Sequence, residues 1–206
     1  MWLRAERQLA GRGRQGRPWA SPEGNLYAST LVHLRSGDPP AASLALVTAV
    51  ALEEVVARLV PRGAMLKWPN DLLVSGAKLS GILLERAGDN VVIGIGVNIA
   101  CHPDLADRPT TSLAAHGVAI TPAAFLDRLA EMLAAWLGIW RGQGLAPIVA
   151  RWIERAHPVG TALTARLADG TTLDGSFDTM APDGALVLRL ADGSRRVIHA
   201  GDVFLV

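Results

Sequence analysis

The chain has 206 residues, half of them hydrophobic, which is enough to bury one sizeable core and to add a small second domain. Its 20 Lys and Arg residues nearly balance its 19 Asp and Glu residues, so no global basic field recruits nucleic acid. One cysteine, Cys101, excludes an intramolecular disulfide, and no apolar run has membrane-spanning length. Composition therefore predicts a soluble, cytoplasmic protein without a signal peptide.

The first predicted element is a strand over residues 24–34, where apolar side chains stand among small ones. Residues 43–60 carry apolar side chains three and four positions apart, which predicts an amphipathic helix that ends at Pro61. Short apolar runs separated by turn residues then predict a meander of antiparallel strands at 65–68, 72–74, 79–86 and 90–99.

A second helix is predicted to start at Thr121-Pro122, and a third to cover roughly residues 145–156. Beyond His157-Pro158 the pattern changes to short alternating strands separated by three Asp-Gly pairs, which are typical of hairpins. We predict an α+β protein with two domains. Residues 1–157 form a mixed, mostly antiparallel sheet packed on helices, and residues 158–206 form a small β-barrel.

Residues 11–19, Gly-Arg-Gly-Arg-Gln-Gly-Arg-Pro-Trp, form the first of three informative clusters, here called the Gly-Arg loop. Its glycines disfavour a helix or a central strand, and its arginines are planar forks suited to carboxylate or phosphate. No helix follows its Gly-x-Gly-x-x-Gly pattern, so a dinucleotide-binding turn is not predicted. The pattern favours a loop that folds over an anion, while a solvated, disordered loop or a contact with RNA or DNA remains an alternative.

The second cluster contains both lysines of the chain, Lys67 and Lys78. Lysine is a compact point charge that enters a narrow site more readily than arginine does. The sequence Lys-Trp-Pro-Asn-Asp predicts a sharp turn with Asn70 and Asp71 at its edge, although an ordinary hairpin turn has the same pattern. Lys78 enters a strand in which Gly81 permits the close approach of a ligand.

The third cluster is Gly-Ile-Gly-Val-Asn at residues 94–98. Alternation places Gly94 and Gly96 on the same face of a strand, which leaves that face without side chains beside Asn98. Such a surface suits a flat ligand, but a bulge or a barrel corner explains the glycines equally well.

Together, in this order, the three clusters resemble the catalytic domain of the biotin protein ligases, over Gln8 to Asn98. The resemblance implies a biotin/lipoate ligase-like fold with a C-terminal SH3-like barrel. It also implies an ATP-dependent ligase that forms biotinyl-5′-AMP and transfers biotin to a lysine of a biotin carboxyl carrier protein. ATP and biotin are then substrates, and Mg²⁺ accompanies ATP without a dedicated set of protein ligands.

The resemblance also implies roles for individual residues. The catalytic residues are Lys78, which touches the biotin carboxylate and the α-phosphate, Arg14, and Asp71, which orients or deprotonates the incoming lysine. The implied biotin-binding residues are Gln8, Gly11, Arg12, Gly13, Arg14, Lys78 and Gly81. The implied ATP- or adenylate-binding residues are Arg14, Arg17, Trp19, Lys67, Asn70, Lys78 and Asn98.

Two departures from the family pattern bear on function. No helix-turn-helix segment precedes the loop, so we expect a ligase that does not bind DNA. We also expect that the ligase can form a homodimer through an exposed strand of its sheet. The family also carries a Ser-Thr-Asn segment well before the loop, whereas only ten residues precede Gly11 here. Whether the true start lies upstream of Met1 or the protein is a shortened form, we expect residues 1–206 alone to have weak or no activity.

Other functions remain open at this stage. A lipoate or octanoate ligase or transferase shares the fold, and an inactive relative would still bind a nucleotide. Cys101 beside His102 suggests a nucleophile with its base. Adjacent residues on an extended segment point to opposite faces, however, so we expect Cys101 to have a structural role.

Overall fold

The computed structural model describes residues 1–106, 108–167 and 169–205. Its first sheet has six strands in the order β1-β2-β6-β5-β4-β3, and each strand is antiparallel to its neighbour. They are β1 (Trp2–Ala5), β2 (Leu26–His33), β3 (Ala64–Lys67), β4 (Asp71–Val74), β5 (Ala77–Ala87) and β6 (Asn90–Val97). The predicted strand and meander are confirmed. The short edge strand β1 was not predicted, because four residues are too few to establish an alternation.

The chain has three helices that pack against one another: α1 (Leu44–Leu59), α2 (Pro122–Gln143) and α3 (Ala146–Glu154). Helices α1 and α2 also pack against one face of this sheet. All three were predicted. The side chain of Thr121 accepts a hydrogen bond from the backbone N–H of Ala124, which fixes the start of α2. An unpredicted feature is the fully buried Glu53 on α1, which pairs with Arg151 of α3 at 3.3 Å. This ion pair joins the two helices inside the core.

The second sheet, here called the C-terminal sheet, has five strands in the order β10-β9-β8-β7-β11. They are β7 (Ala162–Arg166), β8 (Thr172–Met180), β9 (Leu186–Arg189), β10 (Arg195–Ile198) and β11 (Asp202–Leu205). Gly170, Gly184 and Gly193 all have positive φ angles, as the predicted Asp-Gly turns require. The α+β class is confirmed, while the domain boundary at residue 157 remains a prediction that lies between α3 and β7.

Hydrogen bonds join the C-terminal sheet to the turn that follows β3. The indole Nε1 of Trp68 donates to the carbonyl of Gly184 at 3.2 Å, and the Nζ of Lys67 donates to the carbonyl of Val203 at 2.9 Å. Strand β11 therefore lies beside the segment that was predicted to carry catalytic residues. Within the described ranges, no helix is long and apolar enough to cross a membrane.

Candidate active site

A cavity of about 680 Å³ opens between the Gly-Arg loop, the uncovered face of the six-stranded sheet and strand β11. Its volume lies within the range typical of small-molecule sites. Every site residue predicted from the sequence lines it: Gln8, Gly11, Arg12, Gly13, Arg14, Arg17, Trp19, Lys67, Asn70, Asp71, Lys78, Gly81 and Asn98. The fold thus brings the three sequence clusters to one place, although it does not by itself assign their roles.

The Gly-Arg loop is folded as a compact hairpin. The backbone N–H of Gly13 donates to the carbonyl of Arg17 at 2.8 Å, and that of Trp19 donates to the carbonyl of Gly11 at 2.9 Å. A Cβ atom on Gly11 would lie 2.5 Å from the carbonyl oxygen of Trp19 and 2.8 Å from the amide oxygen of Gln8. Only glycine fits this crossing of the two hairpin arms, so the Gly11 position is set by close backbone packing.

Two arginines of the loop contact the C-terminal sheet instead of pointing freely into the cavity. Arg14 donates both terminal guanidinium nitrogens to the carbonyl of Gly201, at 3.2 and 3.1 Å. Arg17 places one nitrogen 2.9 Å from both carboxylate oxygens of Asp202. The third arginine, Arg12, is exposed at the edge of the cavity. The expectation that this loop orders only over a bound anion remains a prediction.

The carboxylate of Asp71 lies between the two lysines of the chain. Its Oδ1 is 2.5 Å from the Nζ of Lys78, and its Oδ2 is 3.4 Å from the Nζ of Lys67. The turn at Trp68-Pro69-Asn70 makes this possible, because it sets Asp71 at the start of β4, paired with Gly81 of β5. The closeness of Lys67 and Lys78 in the sequence indicated that the two lysines lie in one site. It did not indicate that a single carboxylate, that of Asp71, pairs with both.

Burial and charge shift the pKa values of Asp71 and Lys78. Burial raises the pKa of Asp71, but the ammonium groups of Lys78 and Lys67 outweigh it and hold the pKa below its ordinary value. Burial lowers the pKa of Lys78, and this effect exceeds the opposite effect of Asp71. Asp71 is therefore a firmly ionised carboxylate, which suits it to hold cations and makes it a weak proton acceptor.

Trp19 lies on the glycine surface that the sequence predicted. Gly81 of β5 and Gly96 of β6 are direct partners in the sheet register, and the indole covers both. The Nζ of Lys78 is 5.6 Å from the centre of the Trp19 ring, which adds a cation–π contact. The Nε1 of Trp19 is buried against Gly96 and has no hydrogen-bond partner within the described ranges.

We predict that Gly96→Ala displaces Trp19, whereas Gly94→Ala does not. A Cβ on Gly96 would lie 2.6 to 2.8 Å from the indole, but a Cβ on Gly94 meets nothing closer than 3.7 Å. The first change should lower the free energy of unfolding by about 1–3 kcal/mol. The second should be neutral or stabilising by less than about 1 kcal/mol, because alanine restricts the unfolded chain.

Urea unfolding measures these free energies, and iodide quenching of tryptophan fluorescence reports the released indole. Equal stability and equal quenching of the two variants would contradict the packing of Trp19 on Gly96.

Other predicted residues support the cavity wall through their side-chain amides. Asn70 donates to the carbonyl of Ile82 at 2.5 Å, and the buried Asn98 donates to the carbonyl of Thr111 at 3.0 Å. Gln8 is exposed, and its amide oxygen accepts a hydrogen bond from the hydroxyl of Ser21 at 2.8 Å. The nitrogens of Asn70 and Asn98 are thus committed to the backbone, which supports a bracing role for both residues.

Several lining residues were missed by sequence reasoning. One group lies in the loop after β6 and another in β11: Pro103, Leu105, Arg108, Thr110, Asp202, Val203 and Phe204. Neither group has a recognisable local pattern, and Asp202 follows a glycine instead of forming an Asp-Gly turn.

A second cavity of about 520 Å³ adjoins the first, and Arg17, Asp202 and Phe204 line both. The C-terminal sheet is therefore part of the site wall.

Cys101 has no place in this cavity. It is partly buried, and its Sγ lies 3.8 Å from the side-chain nitrogen of Asn25. His102 directs its Nδ1 to the hydroxyl of Ser112 at 3.1 Å, so the two side chains do not form a nucleophile with its base. The geometry agrees with a structural Cys101.

Sequence comparison decides the family. Residues 4–98 match the Biotin/lipoate A/B protein ligase family, and residues 162–206 match the Biotin protein ligase C terminal domain. A Biotin--[acetyl-CoA-carboxylase] ligase from Paracoccus denitrificans is 38% identical to this chain, over 98% of the chain and 89% of the relative. The chain belongs to the biotin protein ligase family.

Two further comparisons concern a curated relative and a solved structure of this biotin protein ligase family. The Bifunctional ligase/repressor BirA of Salmonella typhimurium is 37% identical over 72% of the chain, and the match spans about half, 49%, of that relative. The structure of a biotin protein ligase from Aquifex aeolicus in complex with biotin and ATP superimposes with a TM-score of 0.89 at 23% identity. That superposition covers 100% of this chain and 89% of the other, and it confirms the fold.

Metal ligands are not grouped in this site. Across residues 1–106, 108–167 and 169–205, no set of three or more His, Cys, Asp or Glu side chains is placed to hold a metal ion. That Mg²⁺ accompanies ATP without a dedicated set of protein ligands remains a prediction.

Proposed function

We propose that this protein is an ATP-dependent ligase that activates biotin as biotinyl-5′-AMP and transfers it to a lysine of a biotin carboxyl carrier protein. The observation that carries the proposal is the Lys78–Asp71–Lys67 triad, which lies in one cavity with the Gly-Arg loop and the Trp19 surface. This arrangement provides cations for two anionic reactants and a flat apolar surface for a ring.

The first step joins two anions, so repulsion between them is the main obstacle. An oxygen of the biotin carboxylate attacks the α-phosphorus of ATP, the bond to the β-phosphate breaks, and pyrophosphate leaves. Lys78 lies on β5 and lines the cavity, and we propose that its ammonium contacts both reactants. Lys67, Arg14 and Arg17 lie around it and are our proposed partners of the nucleotide phosphates.

The second step needs an unprotonated lysine of the carrier and an intact adenylate. The amine nitrogen attacks the acyl carbon, the bond from that carbon to the phosphate oxygen breaks and AMP leaves, and the proton that the amine loses passes to water or to the phosphate of the departing AMP. Because two lysines hold the pKa of Asp71 low, we propose that Asp71 orients the incoming amine and does not take its proton. The loop hairpin and Trp19 line the cavity and would help to shield the adenylate from water.

The proposed macromolecular partner is the carrier domain of a biotin-dependent carboxylase. The homodimer expected from the sequence also remains a proposal. Its support is an apolar strip on the face of the sheet opposite the helices, formed by Leu3, Leu31 and Val92, which are 72%, 48% and 37% exposed. Leu31 and Val92 are register partners, so the strip is continuous across neighbouring strands.

The experiment incubates the chain with ATP, Mg²⁺ and a biotin carboxyl carrier domain, and it supplies either biotin or lipoate. Even at the weak activity expected of residues 1–206 alone, mass spectrometry of the carrier should show a biotinyl addition with biotin and none with lipoate. A carrier domain whose acceptor lysine is replaced by arginine is the control and should stay unmodified. Lipoyl or octanoyl transfer, or nucleotide binding without modification of the carrier, would overturn the proposal.

A further inference from the structure

Three consecutive residues of the C-terminal sheet contact cationic side chains of the active site. The carbonyl of Gly201 accepts from Arg14, the carboxylate of Asp202 pairs with Arg17 and Arg14, and the carbonyl of Val203 accepts from Lys67. These contacts link residues that are 136 to 188 positions apart in the chain. They are the points at which the C-terminal sheet meets the loop and the lysine triad.

The contacts of Asp202 are shielded from solvent. Its side chain is 15% exposed, and those of Arg14 and Arg17 are 25% and 37% exposed. Arg17 places one nitrogen 2.9 Å from both oxygens, and Arg14 adds a longer contact of 3.3 Å. Charge-assisted hydrogen bonds of this kind are stronger than exposed surface ion pairs, because less water competes for them.

Strand β11 is itself held firmly in place. It pairs with β7, and a Cβ on Gly201 would lie 2.7 Å from the backbone carbonyl of Arg166. The guanidinium of Arg166 lies 5.3 Å from the centre of the Phe204 ring. Asp202 therefore projects from an edge strand that is anchored to β7, and its carboxylate reaches both Arg14 and Arg17 of the loop.

We propose that Asp202 is a positioning residue for the reaction. Its carboxylate, with the carbonyl of Gly201, fixes the guanidinium groups of Arg14 and Arg17 and thereby holds the Gly-Arg loop closed over the cavity. We call this set of contacts the Asp202 latch. Its effect on catalysis rests on the proposed function, whereas its effect on the loop does not.

Asp202→Asn tests the latch by removing the charge and keeping the shape. Hydrogen exchange over residues 9–20, followed by mass spectrometry, should become about tenfold faster, because the hairpin amides of Gly13 and Trp19 open more often. The KM for ATP in biotin-dependent pyrophosphate release should rise about tenfold, with a smaller change in kcat. Asp202→Glu returns the negative charge. It should therefore bring the exchange rate of the loop and the KM for ATP part of the way back to their wild-type values.

Asp174→Asn is the matched control. Asp174 is exposed on the same sheet, and its hydrogen bond from Thr164 can also be accepted by asparagine. The latch is overturned if loop exchange in Asp202→Asn stays at the wild-type rate, or if Asp174→Asn accelerates it equally. An unchanged KM for ATP would overturn the catalytic consequence. If the wild-type chain releases no pyrophosphate with biotin and ATP, the proposed function fails, while loop exchange still decides on the latch.

Discussion

Lys78→Ala is expected to lower the rate of biotin-dependent pyrophosphate release by at least about 10³-fold, because an ammonium in contact with both reactants stabilises the charge of the transition state. In the structure this ammonium is central: it lies 2.5 Å from Asp71 and beside the Trp19 ring. In this variant the buried Asp71 would keep one ion-pair partner among the described residues, Lys67, whose Nζ lies at 3.4 Å. Pyrophosphate release coupled to a colorimetric phosphate assay measures the effect.

Arg86→Ala is the control for this variant, since Arg86 lies exposed on the same strand. Within the described part of the chain, its side chain donates one hydrogen bond, to the backbone carbonyl of Gly88 in the following turn. It should retain the wild-type rate. Thermal unfolding of both variants separates a catalytic loss from a folding defect. A Lys78→Ala protein that is folded and releases pyrophosphate within tenfold of the wild-type rate would remove Lys78 from the mechanism.

Asp71→Asn is expected to slow transfer from preformed biotinyl-5′-AMP by about 10²-fold or more, because the incoming amine loses its orienting partner. It should also change the pH dependence of adenylate formation. Asp71 raises the pKa of Lys78 and burial lowers it, so without the carboxylate charge the pKa of Lys78 falls further. The alkaline limb of the pH–rate profile for pyrophosphate release should therefore move to lower pH.

Single-turnover transfer to a carrier domain and a pH series of pyrophosphate release measure the two effects separately. Asp89→Asn, in the exposed turn between β5 and β6, is the control for loss of one carboxylate and should change neither. An alkaline limb that stays in place, or one that moves to higher pH, would show that Asp71 does not set the charge of Lys78.

Much of the site was predictable because its parts are local. The glycine alternation at residues 94–98 predicts a bare strand face from backbone geometry alone, and Trp19 lies on that face. The Asp-Gly pairs predict their turns because they supply a residue that tolerates a positive φ angle. Lys67 and Lys78 stand out by composition, and the fold brings both to one carboxylate.

What only the tertiary structure decided depends on contacts between distant parts of the chain. Residue 202 carries no local signal, and it meets Arg14 and Arg17 only because the C-terminal sheet docks beside the turn after β3. Burial is likewise a property of the whole fold, and it lowers the pKa of Lys78, whereas the two neighbouring ammonium groups hold the pKa of Asp71 low despite its burial. The sequence by itself thus determined the family and predicted the residues that the fold gathers in one cavity, since both follow from residue type and spacing. The packing of the two sheets determined which groups contact those residues and in which direction their pKa values shift.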